Sequence, residues 1–157
     1  MSMPQIDRKP MIGLLGRALR GMRADMLREA HRRGYTFIRQ AHNDVFATLP
    51  LSGARASDMA TRAGITRQSM GEVVRELVDL DLLEMQPDPT DGRAKIVTFT
   101  EHGREFTRGG LQHILDVEER FVREFGREDY ETARRVLEGM VRILEEDAEE
   151  ATADDGD

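Results

Sequence analysis

The sequence lacks cysteine and tryptophan, and aromatic residues make up only 5% of its 157 residues. The absence of cysteine excludes disulfide bonds and sensing mechanisms that depend on a reactive thiol. No run of about 18 apolar residues is present, so the sequence predicts no membrane span. The N-terminal apolar run is short and interrupted by arginine, which is not typical of a signal peptide. We therefore expect a cytoplasmic protein that does not associate with a membrane.

Signatures of common enzymes are also missing. The chain contains no nucleophile elbow, glycine-rich phosphate loop or paired-carboxylate motif. Its length suits one domain and leaves no room for a separate catalytic module. We therefore predict a protein without enzymatic activity and without a cofactor.

Charge is distributed unevenly along the chain. The net charge is −7, and the last thirteen residues alone contain eight acidic residues and no basic one. The acidity is therefore largely a C-terminal property, and it does not argue against DNA binding by the remainder of the chain. We predict a flexible arm at residues 1–9 and a disordered acidic tail at residues 148–157.

Residues 57–79 have the pattern of a helix-turn-helix. Residues 57–63 predict a short amphipathic helix, and Gly64 supplies the left-handed turn that glycine adopts without strain. Thr66 is placed to cap the next helix, because its side-chain oxygen can accept a backbone N–H. That second helix carries one apolar stripe, formed by Met70, Val73, Val74 and Leu77. Two amphipathic helices joined by a short glycine turn are typical of DNA-binding proteins.

A β-hairpin is predicted directly after the second helix. Residues 82–86 and 96–99 are two short strand candidates, and the loop between them at 87–95 is rich in turn residues. A hairpin in this position, with basic residues in its loop, is a wing. The sequence therefore predicts a winged helix-turn-helix at about residues 51–100.

The motifs GITRQSMGEVVREL and DPTDGRAK, followed by Phe99-Thr100-Glu101-x-Gly103, resemble the MarR family of bacterial transcriptional regulators. The resemblance covers about residues 10–147. Three positions depart from the family pattern, since many members carry Gly, Arg and Arg where this chain has Asp81, Met85 and Gly92. Aspartate enters the left-handed region more readily than most residues. Gly92 removes one positive charge from the wing.

Helices with apolar stripes flank this central region. The first is predicted at about residues 10–33, with its stripe formed by Ile12, Leu15, Leu19, Met22 and Met26. Further helices are predicted at residues 35–48, at 100–125 with Thr100 as its N-cap, and at about 128–146. Gly109 and Gly110 interrupt the helix at 100–125, which indicates either a kink that acts as a hinge or a local packing accommodation. The stripes are explained either by burial within one subunit or by a partner helix. The resemblance implies the second, with residues 10–33 and 100–147 joining two subunits of a mainly α fold with a small β-hairpin wing.

DNA contacts are expected from the second helix and the wing, since a recognition helix places its N-terminal outward residues at base edges. The alternative for its arginines is phosphate contact, which positions the protein without reading sequence. The resemblance implies that Arg93 enters the minor groove and that Asp91 orients it. The candidate DNA-binding residues are Ser57, Thr66, Arg67, Gln68, Ser69, Glu72, Arg75, Asp91, Arg93 and Lys95.

The resemblance also implies a crevice for a small aromatic or anionic effector. Its candidate lining residues, which are ordinary core residues in the alternative interpretation, are Tyr35, Phe37, Ile38, His42, Phe46, Leu111 and Leu115. A metal site is conceivable from His113 and Asp116, at helical i, i+3 spacing, together with His42. No CxxC or HExxH pattern supports such a site, and we predict no bound metal.

Together these features predict a homodimeric, sequence-specific, double-stranded-DNA-binding transcriptional regulator. The resemblance implies a repressor of a pseudo-palindromic operator that a small-molecule ligand releases. Two alternatives remain open, namely a dimeric winged-helix module that binds proteins instead of DNA, and a metal-responsive regulator.

Overall fold

A computed structural model describes residues 9–154, and this part of the chain contains six α-helices and one two-stranded antiparallel sheet. The elements are α1 (Met11–Arg32), a 3₁₀ turn (Gln40–His42), α2 (Asn43–Thr48), α3 (Ala56–Ala63), α4 (Arg67–Asp79), β1 (Leu83–Asp88), β2 (Asp91–Phe99), α5 (Glu101–Phe125) and α6 (Arg127–Asp154). The chain divides into two compact units, one ending at His113 and the other beginning at Ile114. Across the described residues, no helix is both long enough and apolar enough to cross a membrane.

The helix predicted at residues 35–48 is wrong in its first half. Residues 43–48 are α-helical, but Arg39 is extended, with φ −123° and ψ 164°, and only a 3₁₀ turn precedes α2. Phe37 and Ile38 are aromatic and β-branched residues with low helix propensity. Ile38 is 3% exposed. Burial of this side chain in the core therefore prevails over continuation of a helix.

The helix-turn-helix forms as predicted. Gly64 ends α3 in the left-handed conformation, with φ 66°. Thr66 caps α4, because its Oγ1 accepts a hydrogen bond from the backbone N–H of Ser69 at 3.1 Å. The apolar stripe of α4 faces the core of the first unit, whose buried apolar side chains include Val45, Met59, Met70, Val74, Leu77, Leu82, Leu83, Val97 and Phe99.

The wing strands extend further than predicted. β1 and β2 continue through most of the expected loop, so that only Pro89 and Thr90 form the turn. Pairing is regular from Leu83 with Phe99 to Pro87 with Lys95, and then shifts so that Asp88 pairs with Asp91. The shift leaves residues 92–94 without partners on β1. Such an irregularity re-aims the side chains that it carries.

Hydrogen bonds attach the base of the wing to the end of α4 and to the start of α5. Asp81 adopts φ 56°, in the position where many MarR-family members carry Gly, and the N–H of Leu82 then donates to the carbonyl of Leu77 at 3.0 Å. At the other end, the N–H of Thr100 donates to the carbonyl of Leu82 at 3.2 Å. The Thr100 hydroxyl donates to the carbonyl of Asp81 at 2.7 Å and accepts from the N–H of Gly103 at 2.9 Å. Thr100 thus caps α5, as predicted.

α5 is continuous through Gly109 and Gly110, so the predicted interruption is wrong. Gly109 instead allows close packing, because a Cβ there would overlap the guanidinium of Arg33. Arg33 donates to the carbonyl of Phe106 at 3.1 Å, which joins the end of α1 to the first half of α5.

In the second unit, α6 begins after Gly126, which has φ 86°. α6 reaches Asp154, whereas the sequence predicted a disordered tail from residue 148. Residues 148–154 contain no proline or glycine, and alanine and glutamate are strong helix formers. Residues 155–157 of the predicted tail and residues 1–8 of the predicted arm lie outside the described residues.

A substitution at Gly103 tests the junction between the wing and α5. A Cβ at this position would overlap the carbonyl oxygen of Leu82, so Gly103→Ala must displace backbone and should lower the free energy of unfolding by about 2 kcal/mol or more. The measurement is urea unfolding followed by circular dichroism at matched protein concentration. Gly21→Ala is the control, since nothing lies within 4 Å of its added Cβ. Equal urea midpoints for the two variants would contradict the packing described.

Candidate nucleic-acid interface

The outward face of α4 is polar and exposed. Arg67, Gln68, Ser69, Glu72 and Arg75 are all exposed, whereas Met70, Val74 and Leu77 point into the core. The side-chain amide of Gln68 donates to Oε1 of Glu72 at 3.1 Å. Thr66 and Ser69 are engaged with each other, because the Thr66 hydroxyl bonds both the backbone N–H and the hydroxyl of Ser69. These two residues therefore cap the N-terminus of α4.

Four cations of the helix-turn-helix and wing have no acidic partner. Within residues 9–154, no carboxylate lies at ion-pair distance from Arg67 and Arg75 of α4 or from Arg93 and Lys95 of β2. All four side chains are exposed. An unneutralised group of this kind favours an anionic partner.

A buried carboxylate holds the wing against the segment that precedes α3. Asp88 is 5% exposed, and its Oδ2 accepts a hydrogen bond from Nε of Arg55 at 2.7 Å and forms an ion pair with Nη2 of Arg55 at 2.5 Å. Its Oδ1 accepts from the N–H of Thr90 at 2.8 Å and from the Thr90 hydroxyl at 2.7 Å. The Thr90 bonds, followed by Arg55, lower the pKa of Asp88 to about 2.

Asp91 extends this arrangement towards Arg93. Its Oδ2 lies 3.8 Å from Nη2 of Arg55, and its Oδ1 accepts a hydrogen bond from the backbone N–H of Arg93 at 3.1 Å. Asp91 therefore shapes the irregular part of β2 that carries Arg93. We call Arg55, Asp88, Thr90 and Asp91 the wing brace.

Sequence reasoning missed Arg55 and Asp88. The Asp-Pro-Thr sequence at the turn was a usable signal, since aspartate often bonds the backbone two residues later, as Asp88 does with Thr90. Arg55 lies 33 residues from Asp88 in the chain. No local sequence pattern predicts an ion pair between residues so far apart in the chain.

Ser57 lies in the first turn of α3 and is half-buried. Its hydroxyl donates to Oδ1 of Asp58 at 3.2 Å, and its carbonyl accepts from the Thr61 hydroxyl at 3.1 Å. The structure thus places Ser57 on the first helix of the pair, while the other predicted contacts lie on or next to α4 and on β2.

The predicted effector-lining residues have different environments. Ile38 and His42 are fully buried, and Phe46 packs on Phe106 with ring centroids 5.0 Å apart. Tyr35 packs edge-on against Phe106 at 4.7 Å, whereas Phe37 is 37% exposed. Leu111 is more than half exposed, and Leu115 belongs to the second unit. Packing in the core is sufficient to explain the positions of Ile38, His42 and Phe46, as in the alternative interpretation.

His42 connects the 3₁₀ turn to α4. Its Nδ1 accepts a hydrogen bond from the N–H of Arg39 at 3.2 Å, and its Nε2 lies 3.4 Å from Oε1 of Glu76. Burial lowers the pKa of His42, and Glu76 opposes that effect only in part. Glu76 also accepts from Nε of Arg39 at 3.1 Å. A neutral His42 and the Arg39–Glu76 pair therefore attach α4 to the 3₁₀ turn and to the residue that precedes it.

His113 is engaged with α1. Its Nε2 lies 2.7 Å from Oδ2 of Asp25, and its Nδ1 lies 3.9 Å from Oε2 of Glu29. The His113 bond is the largest cause of a lowered pKa at Asp25. Among the described residues, no three histidine, aspartate or glutamate side chains are grouped so that they could hold a metal ion.

The wing brace predicts a specific acid sensitivity. The pKa of Asp88 is about 2 in the folded chain and 3.8 ordinarily, so its contribution to stability is present above about pH 4 and is lost as the pH falls towards 2. Asp88→Asn should therefore unfold more easily at neutral pH and lose less stability than wild type between pH 4 and pH 2. The measurement is the unfolding midpoint as a function of pH.

Asp79→Asn is the matched control for this prediction, because Asp79 is exposed on α4 and forms no ion pair within the described chain. It should follow the wild-type pH dependence. An Asp88→Asn profile parallel to wild type down to pH 2 would show that the brace does not stabilise the wing.

Comparisons with known proteins agree with this geometry. Residues 47–94 match the model of the MarR family. The transcriptional regulator TcaR of Staphylococcus aureus (strain Newman) is 26% identical over 84 residues, which are 52% of this chain and 56% of TcaR. The chain thus spans about half the length of the curated relatives it matches.

Solved structures extend the likeness in fold to most of the chain. A MarR-family transcription regulator, SP03579, has a TM-score of 0.72 at 18% identity and covers 88% of this chain and 91% of its own. MarR of E. coli in its apo form has a TM-score of 0.69 at 14% identity, covering 85% and 98%. A DNA complex of MepR from S. aureus has a TM-score of 0.69 at 16% identity, covering 87% and 99%. The predicted fold and the predicted resemblance are confirmed.

Proposed function

We propose that this chain, a winged helix-turn-helix protein of the MarR family, is a homodimeric DNA-binding repressor that a small ligand releases from a pseudo-palindromic operator. The observation that carries the proposal is the set of exposed cations without acidic partners on α4 and β2. α4 is attached through Glu76 to Arg39, and the wing is attached through Asp88 to Arg55. A recognition helix and a wing that are held in place, and whose positive charges have no acidic partner among the described residues, are suited to binding duplex DNA.

In this proposal α4 enters the major groove. Gln68 and Glu72 stand at the centre of its outward face. The amide of Gln68 has two N–H donors, and the bond to Glu72 occupies one of them. The second N–H and the amide oxygen remain available for an adenine edge. Glu72 therefore acts by orienting Gln68.

The wing follows the adjacent minor groove. Arg93 is carried by the unpaired residues 92–94, where Asp91 holds its backbone. An arginine in this position is attracted by the negative potential of a narrow A·T-rich groove. Lys95 lies two residues further along β2, at the end of the regular pairing, and is assigned to a phosphate.

Exposed apolar side chains support the homodimer. Large apolar side chains that are at least 40% exposed lie along both terminal helices, at Met11, Ile12, Leu14, Leu19 and Met22 on α1 and at Val136, Leu137, Val141, Ile143 and Leu144 on α6. Patches of this kind mark interaction surfaces. A two-fold dimer would present two copies of α4 to half-sites about one helical turn apart.

The ligand is proposed to be a small aromatic anion. The guanidinium of Arg33 lies 5.4 Å from the ring centre of Tyr35 and 5.8 Å from that of Phe106. The ring of Phe37 lies next to Tyr35, at 5.9 Å, and is partly exposed. Phe106 is buried, but Tyr35 and Phe37 are partly exposed, and a cation beside such rings favours an aromatic carboxylate.

The proposal is tested by binding of the purified protein to duplex DNA from its own upstream region, at two salt concentrations. Wild type should bind more tightly than to random DNA and should lose affinity steeply as salt rises. Arg93→Ala should lose about tenfold in affinity. Arg135→Ala is the control, because Arg135 is exposed on α6 and its bond to Thr132 stays within that helix.

Equal affinity of the wild-type protein for upstream and random DNA would contradict recognition of that region. No affinity for any duplex would favour the alternative, a winged-helix module with a protein partner. Specific binding that Arg93→Ala leaves unchanged would retain the regulator and remove Arg93 from the wing contact.

The dimer is tested separately by mass. Wild type should have twice the chain mass by light scattering, and Val141→Glu should shift it towards monomer because a charge would enter an apolar interface. Val141 is 54% exposed in the single chain, so the substitution should not unfold it. Arg135→Glu, also exposed on α6, should remain dimeric. A Val141→Glu dimer of wild-type stability would contradict this interface.

A further inference from the structure

Gly71 is the single glycine within α4. Glycine in a helix interior is unfavourable relative to alanine, because it loses more backbone freedom on folding. Gly71 therefore lowers the stability of α4, the helix that is proposed to bind DNA, relative to alanine at the same position.

The fold itself does not require glycine at this position. Gly71 lies inside a regular helix, and it is not among the glycines with positive φ. An added Cβ would meet one atom within 4 Å, Nη1 of Arg75 at 3.6 Å, which is an ordinary contact. Gly103 is different, because its Cβ would overlap backbone. Packing within the described residues therefore does not explain why glycine stands at this position.

Gly71 interrupts a row of arginines. Arg67, Gly71 and Arg75 are spaced at i, i+4 and i+8, so they follow one another along one side of α4. The two arginines are separated by about 12 Å along the helix axis. Both are exposed and have no carboxylate partner in the described part of the chain. The row therefore has a notch at Gly71, where no side chain projects, with Arg67 one turn before it and the guanidinium of Arg75 lying next to it.

We infer that this notch is a seat for one DNA phosphate, with the backbone of one strand crossing Gly71 and the guanidiniums of Arg67 and Arg75 holding the phosphate from either side. The inference rests on the proposed function and deepens it. Arginine binds phosphate oxygens through its planar fork of N–H donors. The seat fixes the depth of α4 in the groove, and it leaves base reading to Gln68, which Glu72 orients.

The test is Gly71→Ala, measured for thermal stability and for affinity to an operator selected with the wild-type protein. Alanine should raise the unfolding temperature by about 2–4 °C, because the helix gains propensity. It should lower operator affinity at least tenfold. The slope of log affinity against log salt should become shallower by about one unit, which is the contribution of one phosphate contact. Because a phosphate carries no base identity, the loss should be the same for operators that differ by one base pair.

Gly21→Ala is the matched control. Gly21 lies in α1, away from α4 and the wing, and its added Cβ would also meet nothing within 4 Å. Since α1 belongs to the proposed dimer surface, light scattering first checks that this variant has the mass of wild type. This variant should gain stability and bind the operator as wild type does.

The outcomes separate the seat from the proposed function. Wild-type affinity of Gly71→Ala for the operator would overturn the seat alone. A loss confined to operators with one particular base pair would also overturn it, because the contact would then be to a base edge. A wild-type protein that selects no DNA would contradict the proposed function and the seat together.

Discussion

The junction between Leu82 and Thr100 is the constraint on which the rest of the first unit depends. There the end of α4, both wing strands and the start of α5 meet within one set of hydrogen bonds. The left-handed Asp81 turns the chain out of α4, and Gly103 lets α5 approach the carbonyl of Leu82. Because the hairpin leaves and returns at this point, the direction of the wing relative to α4 is set by backbone contacts.

The wing brace adds a second attachment further out along the hairpin. A two-stranded hairpin alone is marginally stable in water, and here Arg55 reaches the end of β1 from the segment before α3. The proposed roles of the cations follow from this support. Arg93 and Lys95 on β2, and Arg67 and Arg75 on α4, are exposed on elements that Asp88, Glu76 and the apolar core hold in place.

The sequence predicted the features that depend on local chemistry. Gly64, Thr66 and Thr100 adopt the conformations expected of them, because capping and left-handed turns are decided within a few residues. Features decided by distant contacts were missed. Ile38 leaves the predicted helix to fill the core, Gly109 accommodates Arg33, and Asp88 pairs with Arg55, which is 33 residues away. Of the candidate site, the exposed residues of α4 were predictable by periodicity and those of the wing by the resemblance to the MarR family, whereas Arg55 and Asp88 of the wing brace were not predicted.

The central claim is that a dimer presents two copies of the winged helix-turn-helix to DNA. It is tested most directly when the wild-type protein selects binding sequences from a random duplex library. The account predicts enrichment of one two-fold-symmetric sequence whose half-sites are roughly 10 base pairs apart from centre to centre. Footprinting should then show protection of both half-sites and of the minor grooves that flank them. Failure to enrich any sequence, or enrichment of a single asymmetric half-site, would contradict the account.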